Sequence, residues 1–439
     1  MWLKKIKHNL YKTVFLLLIG FQAQAQELLK LEDAVKIALE NNYEIKIASN
    51  NLKIDETNSS AGNAGMLPNI TANVVNTNSI QNITQTQSDG SQKSLDGAKN
   101  LGLNYGVNLG WTVFDGMKMF AKREQLKVLQ KQGESDLKLT IFTKISDVYA
   151  TYFNLVQQQQ QLMALDSTLI LSNERLTTAQ NRYTIGKASK LVVLNAQVDL
   201  NTDTSLRLTQ LNLYQNTKIQ LNQILARDTK IDFKVANEIP IDNQLKLDDL
   251  KSLSDKQNPQ LQSQILAKNS ADLQLKQVKA GRYPTVTINS GYGFSHTEAS
   301  LGFVTQSQGR GLTYGFTAAI PIFNGFYQSR NEKIAKIQVD TADLVVKQQQ
   351  TILDSQLGMA FQSYQTNLQL TTIEKSNVDI AKQNLDITLA KFKIGTITPI
   401  DYRTAQLNYV NALVRYSNAQ FQTKLNEITL SELAGNLKL

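Results

Sequence analysis

The sequence predicts a mainly α-helical chain with a smaller β part that crosses a membrane, built as two copies of one unit. Motifs recur at a nearly constant offset, four segments alternate between apolar and small polar residues, and long runs carry apolar residues at coiled-coil spacing. The 439 residues include no cysteine, which excludes a disulfide framework and a thiolate nucleophile.

Residues 1–25 have the features of a secretory signal peptide. Four lysines precede an apolar run over residues 14–19, and Ala23-Gln24-Ala25 forms an A-x-A cleavage site. We expect cleavage after Ala25, because the apolar run is far shorter than the ~20 residues of a membrane-spanning helix. Cleavage removes four lysines and no acid, so the net charge falls from +9 to +5. This mild, scattered charge predicts no nucleic-acid partner.

The remaining chain repeats a unit of roughly 200 residues. Trp111–Gly116 matches Ile320–Gly325, and Arg182–Gly186 matches Lys391–Gly395, both at an offset of 209; the prolines before the strands match at 216. Each copy runs from helices through two strands to a Phe-Asp/Asn-Gly turn and long helices. The predicted segments of the first copy are 26–66 (helices), 67–114 (β-hairpin) and 115–226 (helical hairpin). The connector 227–258 follows. The second copy comprises 259–283 (helix), 284–323 (β-hairpin) and 324–439 (helical hairpin and C-terminus).

The stretch 101–113 is the strongest strand signal. Its thirteen residues alternate strictly between apolar positions and Gly, Asn or Thr. That length exceeds the usual ~5–6 residues of a strand and satisfies the ~9–11 of a tilted membrane strand. A soluble, half-buried strand also alternates, but a Gly/Asn/Thr face suits water better than a core. The predicted lipid-facing residues are Leu101, Leu103, Tyr105, Val107, Leu109, Trp111, Tyr314 and Phe316, and the lumen-facing residues are Gly102, Asn104, Gly106, Asn108, Gly311 and Thr313.

Four membrane strands in one chain are too few to close a barrel. In lipid every backbone polar group must be paired, and barrels begin at about eight strands. The chain must therefore associate with copies of itself. Three copies give about twelve strands and an open pore, whereas two give about eight and a lumen largely filled by side chains. The polar segments 76–99 and 297–310 are predicted to be outward-facing loops, with His296 in solvent beside the second.

After each Phe-Asp/Asn-Gly turn, the apolar spacing becomes that of a left-handed coiled coil. We predict a helical hairpin in each copy, with turns near Asp166-Ser167-Thr168 and Lys375-Ser376-Asn377. Without these turns, the coiled-coil pattern of each copy would continue as one helix of implausible length.

Further breaks are predicted in the returning helices. Gly186 and Gly395 can end a helix in the left-handed conformation. Ser189 and Thr398-Pro399-Ile400-Asp401 can cap the helices that follow. In the connector, apolar residues alternate over 231–235 as in a short strand.

These residues resemble the TolC-like outer-membrane efflux protein family. The resemblance is carried by Leu31-Glu-Asp-Ala-Val-Lys-Ile-Ala-Leu-Glu-Asn-Asn, by the two Phe-Asp/Asn-Gly strand ends, and by Arg182-Tyr183-x-x-Gly186 and Lys391-Phe392-x-x-Gly395. It covers essentially the whole chain after the signal peptide. It implies a homotrimer with a 12-stranded β-barrel in the outer membrane, four strands per chain, continued through the periplasm by a coiled-coil α-helical barrel.

The resemblance also implies a function and partners. The function is a passive exit duct of a tripartite efflux system; some relatives serve type I protein secretion instead. The partners are outer-membrane lipid, a periplasmic adaptor (membrane fusion) protein and an inner-membrane RND or ABC transporter. Many relatives carry a lipidated cysteine, which this sequence lacks. The predicted adaptor-docking tips are Asp166, Ser167, Lys375 and Ser376, and the predicted acidic entrance constriction is Glu374 and Asp379.

Two other classes of protein explain less of the sequence. A periplasmic coiled-coil tether or adhesin accounts for the signal and the heptads but not for the Gly-lined strands. A hydrolase lacks its residues, because one histidine remains after residue 25, and neither a G-x-S-x-G stretch nor a metal-spaced His/carboxylate cluster occurs. We therefore predict no enzymatic activity, no metal and no cofactor.

Overall fold

The computed structural model describes residues 27–437. The predicted signal peptide and its cleavage site after Ala25 lie outside the described residues. The chain divides into two compact units. The helical unit comprises the residues up to Ile47, Lys138–Asn258 and the residues from Ile352 onward; the strand unit comprises Ala48–Leu137 and Pro259–Thr351. Each unit thus contains segments of both sequence copies.

Helices and strands follow the predicted duplicated order. Two α-helices are very long, with 67 and 68 residues. The elements are β1 (Glu27–Leu28), α1 (Leu31–Asn41), α2 (Tyr43–Asn58), β2 (Asn69–Thr86), β3 (Gln92–Phe114), α3 (Lys118–Thr184), α4 (Lys190–Ile224), β4 (Phe233–Lys234), α5 (Leu247–Gln257), α6 (Pro259–Ala280), β5 (Thr285–Ala299), β6 (Gln306–Ala319), α7 (Tyr327–Ile394) and α8 (Pro399–Leu433).

The strand unit contains an antiparallel sheet in the order β2-β3-β5-β6. The prediction of long loops is wrong. The β2–β3 hairpin continues through the supposed loop 76–99 to a turn near residues 87–91, and the second loop shortens to 300–305. The added strand residues are mostly polar, but their backbone groups pair across the hairpin. Asn82, at a bulge, also accepts a hydrogen bond from the Gly97 amide at 2.8 Å. Polarity therefore marks solvent exposure here and not irregular structure.

The prediction of turns near residues 166–168 and 375–377 is also wrong, because α3 and α7 run straight through both sites. Hydroxyl groups at such positions can compete with helical hydrogen bonds. Here Ser167 and Thr168 donate instead to the carbonyls four residues earlier, at 3.0 and 2.9 Å. With neither Gly nor Pro nearby, nothing interrupts the helix.

The turns lie at the two predicted glycine breaks. Gly186 and Gly395 have φ of +72° and +83°, a conformation that glycine adopts without steric cost. Behind each glycine, an amide donates to the carbonyl five residues earlier, from Lys187 to Arg182 at 2.7 Å and from Thr396 to Lys391 at 3.0 Å. These bonds form the Schellman motif that ends helices.

The helices after the two turns begin differently. Thr398 forms the predicted capping box with Asp401, in which each side chain accepts a bond from the other residue's amide. Ser189 occupies the corresponding cap position of α4, but its side chain makes no capping bond, contrary to the prediction.

The main core of the helical unit surrounds a small parallel sheet of β1 and β4. The short strand predicted in the connector is confirmed at Phe233–Lys234. Buried Tyr152 links the chain on both sides of this sheet: its hydroxyl donates to the Leu29 carbonyl at 3.0 Å and accepts from the Ala236 amide at 3.2 Å.

An asparagine separates the first two helices in both copies. Asn42 lies between α1 and α2, and its side chain donates to the Ile224 carbonyl at 2.8 Å. Asn258 lies between α5 and α6 and donates to the Leu433 carbonyl at 2.9 Å. Both acceptors are the last residues of returning helices, so the duplication extends to single hydrogen bonds. The predicted connector 227–258 therefore ends in α5, the counterpart of α1.

We expect Asn42→Ala to lower the free energy of unfolding by about 2 kcal/mol, because it removes this bond and leaves a partly buried carbonyl unpaired. It also removes the Asn42 oxygen that accepts from the Glu44 and Ile45 amides at the start of α2. The control is Asn50→Ala, at an exposed position of the same helix. The melting temperatures of the two variants are compared, and equal values would contradict the assignment.

Candidate functional site

The sheet of the strand unit has two chemically different faces. The register places the predicted lipid-facing residues of β3 on the same face as Tyr314 and Phe316, and the predicted lumen-facing residues together on the other. The apolar face comprises Ile70, Val74, Leu101, Leu103, Tyr105, Val107, Leu109, Trp111, Ile288, Tyr292, Phe294, Leu312, Tyr314 and Phe316. The polar face comprises Asn69, Thr71, Asn73, Gly102, Asn104, Gly106, Asn108, Gly291, Gly293, Gly311 and Thr313.

Aromatic rings dominate the middle of the apolar face. Tyr105 stacks on Phe294 with centroids 4.9 Å apart, and Tyr292 meets Phe294 edge to face at 5.3 Å. On edge strand β6, Tyr314 and Phe316 are 82% and 76% exposed. Large apolar side chains with this exposure require a nonaqueous neighbour, either lipid or protein.

The polar face is kept open by small residues. A Cβ on Gly106 would lie 2.6 Å from the Tyr292 carbonyl oxygen and 2.9 Å from the Gly293 Cα, so only glycine fits at this crossing of β3 and β5. Asn108 bonds Asn73 across the face at 2.6 Å. A hollow of about 600 Å³ lies on this side, with Asn108 and Thr313 in its lining. This surface can hold water and passing solutes.

Both edges of the four-stranded sheet are unpaired in the described chain. β2 forms one edge and β6 the other. Three successive antiparallel pairings make these edge strands run in opposite directions. A β6 edge can therefore pair antiparallel with the β2 edge of a second copy.

In the helical unit, the ends of the four long helical segments form a second candidate site, the hairpin tips, defined as residues 185–189 and 395–398. Arg182 joins the tips of the two copies. It donates to the Phe392 carbonyl at 2.9 Å and lies over the Phe392 ring at 5.1 Å. Phe392 stacks in turn on Tyr402, with centroids 5.0 Å apart.

A buried ion pair lies behind the tips. Arg403 of α8 donates two hydrogen bonds of 2.7 Å to Asp203 of α4. Ser172 of α3 donates to the same carboxylate at 2.5 Å. Burial alone would lower the pKa of Arg403, but Asp203 and the nearby Asp199 outweigh it and raise that pKa. Burial raises the pKa of the adjacent Tyr402 to about 12. The two sequence copies are thus joined by a permanently charged contact.

Comparison with known proteins identifies the chain. The family model described as outer membrane efflux protein matches residues 34–227 and 250–436. This chain belongs to the outer membrane efflux protein family. No curated protein sequence matches it significantly.

Solved structures of outer-membrane channels share the fold. The CmeC outer membrane channel of Campylobacter jejuni is 18% identical, with a TM-score of 0.77 over 92% of this chain and 85% of that one. The outer membrane protein VceC of Vibrio cholerae is 16% identical, with a TM-score of 0.76 over 92% and 96%. The open MtrE channel of Neisseria gonorrhoeae is 16% identical, with a TM-score of 0.66 over 93% and 89%.

Residues 27–437 of this family member contain neither a membrane-spanning helix nor a cluster of metal-binding side chains. Among its helices, none has the length and hydropathy needed to cross a bilayer. In the same range, no group of three or more His, Cys, Asp or Glu side chains could hold a metal ion.

The four residues predicted as adaptor-docking tips do not lie at turns. Asp166 and Ser167 are inside α3, and Lys375 and Ser376 are inside α7. Asp166 forms an ion pair with Arg207 of α4 instead. The position at turns was predicted because a single helix through these residues was considered implausibly long, and α3 and α7 have that length.

The predicted constriction residues are likewise within α7, away from its end at Ile394. Glu374 accepts hydrogen bonds from Asn377 at 3.1 Å and Arg415 at 3.0 Å, which lower its pKa. Asp379 is exposed. The prediction placed both residues near a turn, and that position is wrong.

The Arg403–Asp203 pair was not predicted from the sequence, although a signal for it exists. Val193, Ala196 and Asp203 are buried in α4, and their spacing of three and seven residues places them on one face of the helix. An acid at a seam position predicts a buried cation opposite it. The partner could not be chosen from the sequence, because Arg403 is 200 residues away.

Proposed function

We propose that three copies of this chain form an exit duct in the outer membrane, through which an efflux system passively releases its substrates. The observation that carries the proposal is the sheet: two unpaired edges of opposite direction and two faces of opposite chemistry. A membrane sheet cannot keep open edges, since hydrocarbon offers no hydrogen-bond partner. Pairing each β6 with the β2 of the next copy closes an antiparallel barrel of about twelve strands.

In this barrel the apolar face meets lipid and the polar face lines the lumen. The glycines and small amides of the polar face leave a hydrated path without a charged or bulky filter. The lumen wall then supplies no energy for transport and little selectivity among substrates. Partner proteins must supply the energy and the selectivity.

Membership of the efflux family supports two partner proteins, a periplasmic adaptor and an inner-membrane pump. A periplasmic adaptor docks at the hairpin tips, residues 185–189 and 395–398, and an inner-membrane pump supplies the substrate and the energy. The export signal agrees with this location, with residues up to Ala25 removed during export.

The absence of native cysteine makes the proposal directly testable. We expect cysteines introduced singly on β2 and β6, combined over a range of registers, to cross-link to trimers in outer-membrane fractions. The matched control pairs one β6 cysteine with Asn50→Cys on α2, which should not cross-link. The purified trimer should conduct ions in planar bilayers. A monomer that stays in solution without detergent, or a trimer that never conducts, would refute the duct.

A further inference from the structure

The apolar face changes character toward the end of the sheet that carries the hairpin turns near residues 87–91 and 300–305. At the levels of Trp111, Leu109, Val107 and Tyr105 on β3, the partners on β5 and β6 are apolar or aromatic, except for Ser290 opposite Leu109 and Arg310 at the level of Tyr105. Beyond the level of Tyr105, β5 presents His296 and Glu298 on this same face. On β5 and β6 the apolar band therefore ends at this level, whereas Leu103 and Leu101 extend it on β3. Lipid headgroups begin at the end of such a band in an outer-membrane barrel.

Arg310 of β6 stands at this boundary. Strand alternation places it on the apolar face with Leu312, and the register places it opposite Phe294. The side chain is exposed, and within residues 27–437 it forms no ion pair. His296, its diagonal neighbour on β5, already contacts Glu298 at 3.0 Å. Arg310 is thus a cation without an anion beside a cluster of three aromatic rings.

We propose that Arg310 binds the phosphate of an outer-leaflet lipid, whose acyl chain lies along Tyr105, Tyr292 and Phe294. The inference rests on the proposed function, because it requires the apolar face to meet lipid. An arginine at the bilayer midplane costs about 2–4 kcal/mol but little near the interface. At that interface the guanidinium can form paired hydrogen bonds with phosphate oxygens. The aromatic cluster provides an apolar surface directly below the headgroup.

The test measures lipid binding to the purified trimer by native mass spectrometry, with lipid A that carries phosphates and with the same lipid after their removal. We expect Arg310→Gln to weaken binding of the phosphorylated lipid about fivefold, the equivalent of ~1 kcal/mol for one cation at a membrane surface. Binding of the dephosphorylated lipid should not change. Arg310→Lys should keep most of the affinity, since it retains the charge. Lys336→Gln, at an exposed position of α7, is the control and should bind as the unchanged protein does.

Free phosphate is the alternative source of the same chemistry. Millimolar inorganic phosphate should not displace the lipid; displacement at that concentration would assign Arg310 to the free anion and overturn the lipid site. Equal lipid binding by Arg310→Gln and the unchanged trimer would also overturn it. Conductance of the same preparations separates the two hypotheses: a conducting Arg310→Gln trimer with unchanged lipid binding refutes only the lipid site. A chain that forms no trimer refutes the proposed function as well.

Discussion

Gly106→Ala is expected to destabilise the sheet by about 2–3 kcal/mol, whereas Gly293→Ala is expected to have almost no effect. The two glycines are directly opposite each other on β3 and β5. An added Cβ at Gly106 would lie 2.6 Å from the Tyr292 carbonyl oxygen, but one at Gly293 meets nothing within 4 Å. The obstacle at Gly106 is backbone, so the strands must separate to admit a methyl group.

The measurement is the temperature at which the folded oligomer dissociates, read from its mobility on gels. Because the two substitutions are chemically identical and occupy one register pair, Gly293→Ala controls for the loss of glycine itself. Gly311→Ala, which also faces open space, is a second control. Equal dissociation temperatures for Gly106→Ala and Gly293→Ala would show that β3 and β5 do not approach as closely as described.

Asp203→Leu is expected to cost about 3–5 kcal/mol, because it leaves the Arg403 guanidinium buried without its carboxylate. The double variant Asp203→Leu/Arg403→Met should recover most of this loss, since it removes both charges and keeps the volume. The expected signature is thus a strong non-additivity in thermal unfolding, which identifies a direct contact.

An exposed ion pair provides the comparison. Lys127 and Glu124 of α3 are 3.1 Å apart, with more than half of each side chain in solvent. Glu124→Gln should change stability by less than about 0.5 kcal/mol, as is usual for surface pairs. If Asp203→Leu proved as mild, or if the double variant were no better than the single one, the Arg403–Asp203 contact would not join the two copies.

Predictions from the sequence succeeded where a local pattern is sufficient. Alternation over 101–113 determined which residues share a face, because side chains of a strand point to opposite sides in turn. The left-handed glycines at 186 and 395 ended their helices as expected, since few other residues adopt that conformation at low cost. These features depend on neighbours within a few residues.

Predictions from the sequence failed where local signals are weak. Polar residues in 76–99 suggested a loop, but backbone hydrogen bonds across the hairpin make most of this segment β-strand. The length of the coiled-coil pattern suggested turns near Ser167 and Ser376, although both helices continue through these positions. In both cases the side chains permit either structure, and the long-range context selects one.

By itself the sequence determined the duplicated plan, the composition of the two sheet faces and the glycine turns, because periodicity and backbone preference are properties of short segments. Only the tertiary structure decided which distant residues meet: Gly106 against Tyr292, Arg403 against Asp203, and Arg310 beside Phe294 without an acid. Those contacts depend on strand register and helix packing, which bring together residues separated by up to 200 positions, and no spacing rule in one sequence encodes such pairs.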